Sequence, residues 1–357
     1  SRNVPYGYGG HTRPYDYEGT NNDVSVERLG MPDVARAPGG YIWEAAQKAG
    51  VSVRNYGFFV TFDGAAPRTP EGRTEEGAGK QVAAHTALAP NTDPDFREYD
   101  INYPDSDAAA KHGIAPPRRA LATFGAYKAP SRISEFLREY NGFVQTKTMP
   151  GLSLVRLPRD HTSGTTPDAP SARAMVADND YAVGQLVEAV SRSPYWKKTA
   201  IFIVEDDAQN GYDHVDAHRS IAFVISPFVK RGSHDSRFYN TDSTLHTMEN
   251  LLGIDPMNQY DAIASTINVF TSKPDNTEPY TAILPDKKII GEVNTRTAYR
   301  AADSLSLLNP MREESAPDEL LNEILWRDAK GKNAPLPAKR YGVKMTVRGL
   351  PFAGEDD

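Results

Sequence analysis

Residues 199–226 constrain the fold of this chain more strongly than any other stretch. Two apolar runs, residues 200–204 and 221–225, flank a polar loop that holds four aspartates, one glutamate and two histidines. Continuous apolar runs rich in β-branched and aromatic residues are typical of strands buried on both faces, as in a parallel sheet. The loop would then begin at the carboxyl end of a buried strand, where open α/β sheets place their ligands. The stretch therefore predicts an α/β fold with a functional site in this loop.

Three consecutive acids, Glu205, Asp206 and Asp207, follow the first of these runs directly. Like charges held this close repel one another, and a bound cation is the simplest way to offset the repulsion. Carboxylates supply oxygen ligands and imidazoles supply nitrogen, so the loop could bind one or two divalent metals or receive a phosphate beside one. A solvated acidic loop with helix-capping aspartates is the alternative. His214 and His218 lie in the same loop, and this favours a metal or phosphate site.

Composition excludes several classes of function. The chain has 357 residues, 39% of them hydrophobic, which is enough for one large core or two modest ones. Its net charge of −7 and the lack of a dense Lys/Arg cluster argue against nucleic-acid binding. Without cysteine it can form no disulfide, thiolate metal site or cysteine nucleophile. No apolar run approaches the length of a membrane span, and Walker, Gly-x-Ser-x-Gly and His-Glu-x-x-His motifs do not occur.

Hydrophobic periodicity and helix-ending residues predict the order of elements. We expect helices over 41–49, from Ser131 to Gly142, over 170–198, from 241 or 242 to Gly253, over 262–270 and over 320–326, with strands over 51–59 and 152–157. This order suggests four parts. Residues 1–62 begin an α/β domain, 63–130 form an irregular insertion or lid, 131–272 form the core with the site, and 273–357 form an extension that docks on the core.

A second polar loop, residues 158–164, follows the predicted strand 152–157 and contains His161. If the strands are parallel, this loop lies on the same edge of the sheet as Asp206 and Asp207. Asp178 and Asp180 are interpreted as solvated helix residues rather than ligands. The remaining histidines considered, namely His85, His112, His234 and His246, lack a supporting constellation, so we assign them surface or structural roles.

Several segments resemble the phosphoesterase family that groups bacterial phospholipases C with acid phosphatases. The longest is 204–220, which is followed by the Val-Ile-Ser-Pro-Phe of 224–228. The others are 39–43, 157–162, 174–180 and 253–262. The likeness is closest to the branch whose catalytic domain often follows a β-propeller.

The resemblance implies an alkaline-phosphatase-like α/β fold, with a mostly parallel sheet flanked by helices, that hydrolyses phosphate esters at a metal site. Asp206 and Asp207 match the paired acids that bind metal in this family. His161, His214 and His218 match positions that hold the phosphoryl group or a second metal, and we favour His218 over His214 because it lies just before the next strand. Oxygen ligands suit Ca²⁺, Mg²⁺ or Mn²⁺, while the histidines would also admit Zn²⁺ or Fe.

In this family the first strand supplies an acid and an Asn as further metal ligands, and a later helix start supplies a Ser or Thr nucleophile. Nothing that matches them occurs between Ser1 and Tyr41. We therefore expect this chain to hold part of the site, to depend on an N-terminal segment or β-propeller of the same gene product, and to be inactive alone. The resemblance also suggests a periplasmic or secreted protein.

Two other functions fit the same sequence. One is a non-catalytic binding or assembly component derived from this fold. The other is a sulfatase or phosphonate-type hydrolase, because a fold does not determine its substrate.

Overall fold

The computed structural model describes residues 39–62, 81–83, 87–97, 99–115, 129–205, 220–308 and 318–337. Its α-helices are α1 (Ile42–Lys48), α2 (Ala108–Lys111), α3 (Arg132–Thr146), α4 (Ala172–Ser191), α5 (Thr241–Leu252), α6 (Gln259–Ile263), α7 (Lys287–Ile290), α8 (Ala301–Leu307) and α9 (Asp318–Lys330). Its strands are β1 (Val53–Tyr56), β2 (Val60–Phe62), β3 (Gln81–Ala83), β4 (Leu152–Val155), β5 (Ile201–Val204) and β6 (Ala222–Ile225). Short 3₁₀ turns occur at Ala89–Asn91, Pro158–Asp160 and Trp196–Lys198.

Strands β1 and β4 form a parallel pair. Val53 lies opposite Leu152, and Tyr56 lies opposite Val155. On its other edge β1 receives the segment that follows the first 3₁₀ turn, because Asp93 N donates to the carbonyl oxygen of Asn55 at 2.9 Å. The parallel direction places the carboxyl ends of β1 and β4 at the same edge of this sheet.

Helices cover both faces of the β1–β4 pair, which gives a mixed α/β arrangement. On one face Val53 and Leu152 pack with buried residues of α1, with the apolar side of α5 next to them. On the other face Tyr56 packs with Phe136 of α3 and Ala182 of α4. Since successive side chains of a strand point to opposite faces, each of these short strands contributes to both clusters.

Helix α3 begins where the sequence predicts and ends later. Ser131 is its N-cap, and the serine hydroxyl accepts from Ser134 N at 3.1 Å. Gly142 was expected to end the helix, but it lies inside α3, which continues to Thr146. Its C-cap, Lys147, adopts the left-handed conformation at φ 60°. A glycine weakens a helix interior without breaking it, so the expected end was wrong.

The two apolar runs of the central stretch form strands, as expected, but their arrangement differs from the prediction. Strands β5 and β6 pair antiparallel, with Ile201 opposite Ile225. They are also less covered than predicted among the described residues: Phe223 is 57% exposed and Ile221 is 56% exposed. The sheets described are two-stranded, so a mostly parallel sheet around this stretch is not part of the described structure.

Other elements follow the sequence to different degrees. Helix α5 ends at Gly253 as predicted, but its N-cap is Asn240 rather than the expected Thr241 or Asp242. The helix predicted over 262–270 was wrong, because α6 covers Gln259–Ile263 and Ala264 is extended. Helix α9 contains the predicted amphipathic segment 320–326.

Within 63–130, Phe96 and Tyr103 are buried, and Phe96 packs into the same cluster as Tyr56. The division of the chain into four parts remains a prediction.

Candidate active site

His161 lies just beyond the carboxyl end of β4. The chain leaves Val155, enters the 3₁₀ turn Pro158–Asp160 and reaches the histidine at the C-cap of that turn. His161 N donates to Pro158 O at 3.1 Å and to Asp160 Oδ1 at 3.0 Å. The side chain is 25% exposed, so the backbone is fixed while the ring can still meet a ligand from solvent.

The neighbouring carboxylate and an aromatic ring orient the imidazole of His161. Its Nδ1 lies 3.2 Å from Asp160 Oδ1. Burial opposes ionisation of Asp160, but hydrogen bonds from the ring and from the backbone N–H groups outweigh it and lower the pKa of this carboxyl. An ionised Asp160 accepts from Nδ1–H, and a neutral ring then has its lone pair on Nε2.

The Tyr99 ring meets the imidazole of His161 edge to face, with ring centroids 5.4 Å apart. The guanidinium carbon of Arg156 lies 5.5 Å from the centroid of the Tyr99 ring. Arg156 comes directly after β4, so a residue at the strand end and the histidine five positions later contact the same tyrosine. The carboxylate and the tyrosine together restrict the orientation of the imidazole.

Asp178 is not a solvated helix residue, contrary to the sequence interpretation. It is 2% exposed, and its Oδ2 accepts from Arg159 Nη1 at 2.7 Å. Asp180, two residues later on α4, is exposed as predicted. Sequence reasoning missed Arg159 and Asp105, the second buried acid at this turn, because Asp105 is more than 50 residues from Arg159 along the chain.

The four residues expected in the central loop, namely Asp206, Asp207, His214 and His218, lie outside the described residues. The structure does describe the two ends of that loop. Glu205 N donates to Ile221 O at 3.2 Å, and the Ser220 hydroxyl donates to Glu205 O at 2.8 Å. The loop therefore leaves β5 and returns to β6 at adjacent points.

A different acidic group in the described part has the spacing of metal ligands. Carboxylate oxygens of Asp93, Asp95 and Glu135 all lie within 4.8 Å of one another. Arg138 Nε donates to both Glu135 oxygens, at 2.9 and 3.1 Å, and Arg138 Nη2 lies 3.9 Å from Asp93 Oδ2. The group offers oxygen ligands that a divalent cation could use, and a guanidinium neutralises part of its charge.

Asp93 has an unusual environment within this acidic group. It is 1% exposed, and its Oδ2 makes no hydrogen bond within the described structure. Burial, together with repulsion from Glu139 and Glu135, raises the pKa of Asp93 to about 7. No sequence motif marks the group, because Glu135 lies 40 residues after Asp95, its nearest member in the chain.

Three of the remaining histidines are described, and each contacts a local group. His112 Nε2 lies 2.7 Å from Pro285 O, and His246 Nδ1 lies 2.7 Å from Ala264 O. His234 is exposed and lies 3.3 Å from the Ser236 hydroxyl. Surface or structural roles fit all three, while His85 lies outside the described residues.

Comparison with protein families gives a match, and it covers the polar loop 158–164 and the central loop 205–220. A model of the phosphoesterase family matches residues 102–255. This region is similar to the phosphoesterase family. The matched segment runs from just before Tyr103 to just after α5, so it contains both loops that the sequence selects. The match confirms the resemblance to the phosphoesterase family.

No curated protein gives a significant match to the chain. Among the described helices, none is both long and apolar enough to cross a lipid bilayer.

Proposed function

We propose that this chain contributes to the active site of a metal-dependent phosphoric ester hydrolase. The observation that carries the proposal is the phosphoesterase match over 102–255, which contains His161 and the acidic loop 205–220. An alkaline-phosphatase-like fold belongs to the same proposal. It is supported by the parallel β1–β4 pair with helices on both faces and a histidine at its carboxyl edge.

In this proposal Asp206 and Asp207 are the metal ligands. The donors fit a divalent cation, because two adjacent carboxylates supply hard oxygen ligands in a loop whose ends are held together by Glu205 and Ser220. Ca²⁺, Mg²⁺ or Mn²⁺ suits this set best, and Zn²⁺ or Fe becomes acceptable if a histidine of the loop joins it. When bound, the ion would stabilise negative charge on the phosphoryl oxygens.

His161 binds the phosphoryl group in this mechanism. Asp160 accepts from Nδ1, so the other nitrogen, Nε2, is the atom directed at the substrate. In the imidazolium form Nδ1–H still donates to Asp160, while Nε2–H donates to a non-bridging oxygen and stabilises its charge in the transition state. His218, or alternatively His214, acts in the same way from the central loop.

The nucleophile is a Ser or Thr hydroxyl that attacks phosphorus in line and breaks the ester bond, and the departing alcohol takes up the proton that the hydroxyl loses. Water then hydrolyses the new phosphate ester, which restores the hydroxyl and releases the phosphoryl group as the free acid. No residue described here takes this role, so the assay must include both this chain and the complete gene product. A β-propeller in that product and a periplasmic or secreted location are further parts of the proposal.

Hydrolysis assays with p-nitrophenyl phosphate and bis(p-nitrophenyl) phosphate test the proposal and separate monoesterase from diesterase activity. Metal content is measured on the same samples. We expect His161→Asn, Asp206→Ala and Asp207→Ala to abolish turnover, and the two aspartate variants also to lose bound metal. The matched control is His234→Asn, which changes an exposed histidine and should leave turnover unchanged.

A complete gene product that binds no metal and hydrolyses neither ester would refute the proposal and favour the binding or assembly role. Turnover of an aryl sulfate or a phosphonate ester instead would show that the fold is right and the substrate class wrong.

A further inference from the structure

Three hydrogen bonds connect the turn that precedes His161 to the core. Asn179 Nδ2 donates to Leu157 O at 2.7 Å. Arg159 N donates to Asp105 Oδ2 at 2.8 Å. Arg159 Nη1 donates to Asp178 Oδ2 at 2.7 Å. These bonds thus hold Leu157, which precedes the 3₁₀ turn, and both the backbone and the side chain of Arg159, which lies within it.

The groups that hold the turn are themselves interlinked. Asp105 N donates to Asp178 Oδ2 at 2.8 Å, and the Ser106 hydroxyl donates to Asp178 Oδ1. Asp105 also accepts from Arg132 Nη1 at 2.8 Å and from Asn179 Nδ2 at 3.0 Å. Asp105 and Arg132 are 0% exposed. The turn therefore rests on α3, on α4 and on the segment before α2 at once.

The charges of this network favour a geometric role over a stabilising one. Two carboxylates, Asp105 and Asp178, face two guanidiniums, Arg132 and Arg159, so the formal charges cancel. Buried ion pairs seldom stabilise a fold more than apolar packing of the same shape, because desolvation offsets most of the attraction. They do demand one arrangement of donors and acceptors, since any other leaves a buried charge unpaired.

We infer that Asp178 and Asn179 are positioning residues for His161, which hold the turn so that the imidazole meets the phosphoryl oxygens. The inference rests on the proposed function, in which His161 contacts the phosphoryl group. Neither residue touches substrate. Both act through the turn Pro158–Asp160, whose C-cap is His161.

Asp178→Asn tests this inference against Asp180→Asn, a matched control with the same charge change. Asp178 is buried in the network, whereas Asp180 is exposed on the same helix. The chain has eight histidines, and His161→Asn identifies the ring resonances of His161 in long-range ¹H–¹⁵N spectra of ¹⁵N-histidine-labelled protein. We expect Asp178→Asn to shift or broaden those resonances and Asp180→Asn to leave them in place.

Kinetics of the complete gene product provide the second measurement. A displacement of about 1 Å in a catalytic group can cost on the order of 100-fold in rate. We therefore expect Asp178→Asn to lower kcat by about 10- to 100-fold, with a smaller change in KM, and Asp180→Asn to change neither. If Asp178→Asn does not fold, Asn179→Ala replaces it, because that variant removes the bond to Leu157 O without unpairing a charge.

Unchanged His161 resonances and an unchanged kcat in a folded Asp178→Asn or Asn179→Ala variant would overturn the inference. A lower thermal midpoint with unperturbed His161 resonances would do so as well, because it would show a merely structural role. Failure of the proposed function gives a different result. In that case His161→Asn leaves turnover unchanged, while the spectra still report whether Asp178 positions the ring.

Discussion

Glu249 and Asp261 form a buried carboxyl pair whose titration should be visible in the stability of the protein. Glu249 is 1% exposed and Asp261 is 0% exposed, and Met257 N donates to both, at 3.2 Å and 2.9 Å. Burial, and then the hydrogen bond with Asp261, raise the pKa of Glu249 to about 7. Burial also opposes ionisation of Asp261, but hydrogen bonds from Glu249 and the backbone outweigh it and lower the pKa of Asp261.

The sign of the effect follows from proton binding. The folded protein holds the Glu249 proton more tightly than the unfolded chain, whose pKa is near 4.5. The stabilising contribution is therefore complete below pH 4.5, decreases as the pH rises and is lost above about pH 7. A pKa change from 4.5 to about 7 corresponds to about 3 kcal/mol. The lowered pKa of Asp261 acts below its unfolded value of 3.8, outside the range from pH 4.5 to pH 8, so the expected effect in that range stays at about 3 kcal/mol.

Glu249→Gln tests this reasoning, because the amide mimics the protonated carboxyl and can still donate to Asp261. Urea unfolding followed by circular dichroism at pH 4.5 and pH 8 gives the free energies. We expect the variant to match the unchanged protein at pH 4.5 and to exceed its free energy of unfolding by about 3 kcal/mol at pH 8. Glu278→Gln, at an exposed position, makes the same charge change and should show no such difference. Equal pH dependence for Glu249→Gln and the unchanged protein would refute the assignment.

Four further substitutions probe other elements. Asp93→Asn should stabilise the protein more at pH 8 than at pH 5, because at pH 8 Asp93 is ionised beside Glu135 and Glu139 and destabilises the folded state. Urea titrations of the variant and the unchanged protein at the two pH values measure this difference. Ser131→Ala removes the N-cap of α3 and should lower the free energy of unfolding by about 1 kcal/mol. Lys147→Gly removes the side chain that disfavours the left-handed conformation and should raise the free energy of unfolding by about 0.5 to 1 kcal/mol. The shift of the urea midpoint measures this change. Asp160→Asn should lower turnover of aryl phosphate by about 10- to 100-fold, because the orienting acceptor of His161 is lost.

Local sequence signals predicted the helices better than the sheets. Ser131 and Gly253 mark real helix ends because capping depends on a few neighbouring residues. Gly142 did not end its helix, because its φ is not positive and the left-handed conformation that ends the helix is adopted by Lys147 instead. The antiparallel pairing of β5 and β6 had no signal of its own, because an apolar run of four or five residues reads the same in either direction of pairing.

In the candidate site, too, local sequence signals predicted some residues, while contacts between distant residues could not be predicted. His161 could be selected from the sequence, since it follows a predicted strand and lies in a segment with a family resemblance. The groups that hold it could not, because Asp105 and Asp178 contact each other across 73 residues of sequence. Residue type also misled the interpretation: aspartates on a long helix are usually solvated, and burial of Asp178 depends on Arg159, which approaches from another element.

The exposed imidazole of His161 and the buried charges beneath it are held in different ways. Where the ring of the candidate histidine must meet solvent, a single carboxylate and a tyrosine restrict it, and the ring stays 25% exposed. Beneath that ring the demand is different, because the turn must keep one position while substrate binds and leaves. Buried ion pairs meet this demand, since a displaced turn would leave Asp178 or Arg159 without its charged partner in a dry interior. If His161 binds the phosphoryl group as proposed, the buried network and the exposed imidazole form one functional unit, in which the network holds the turn rigid and the imidazole contacts the substrate.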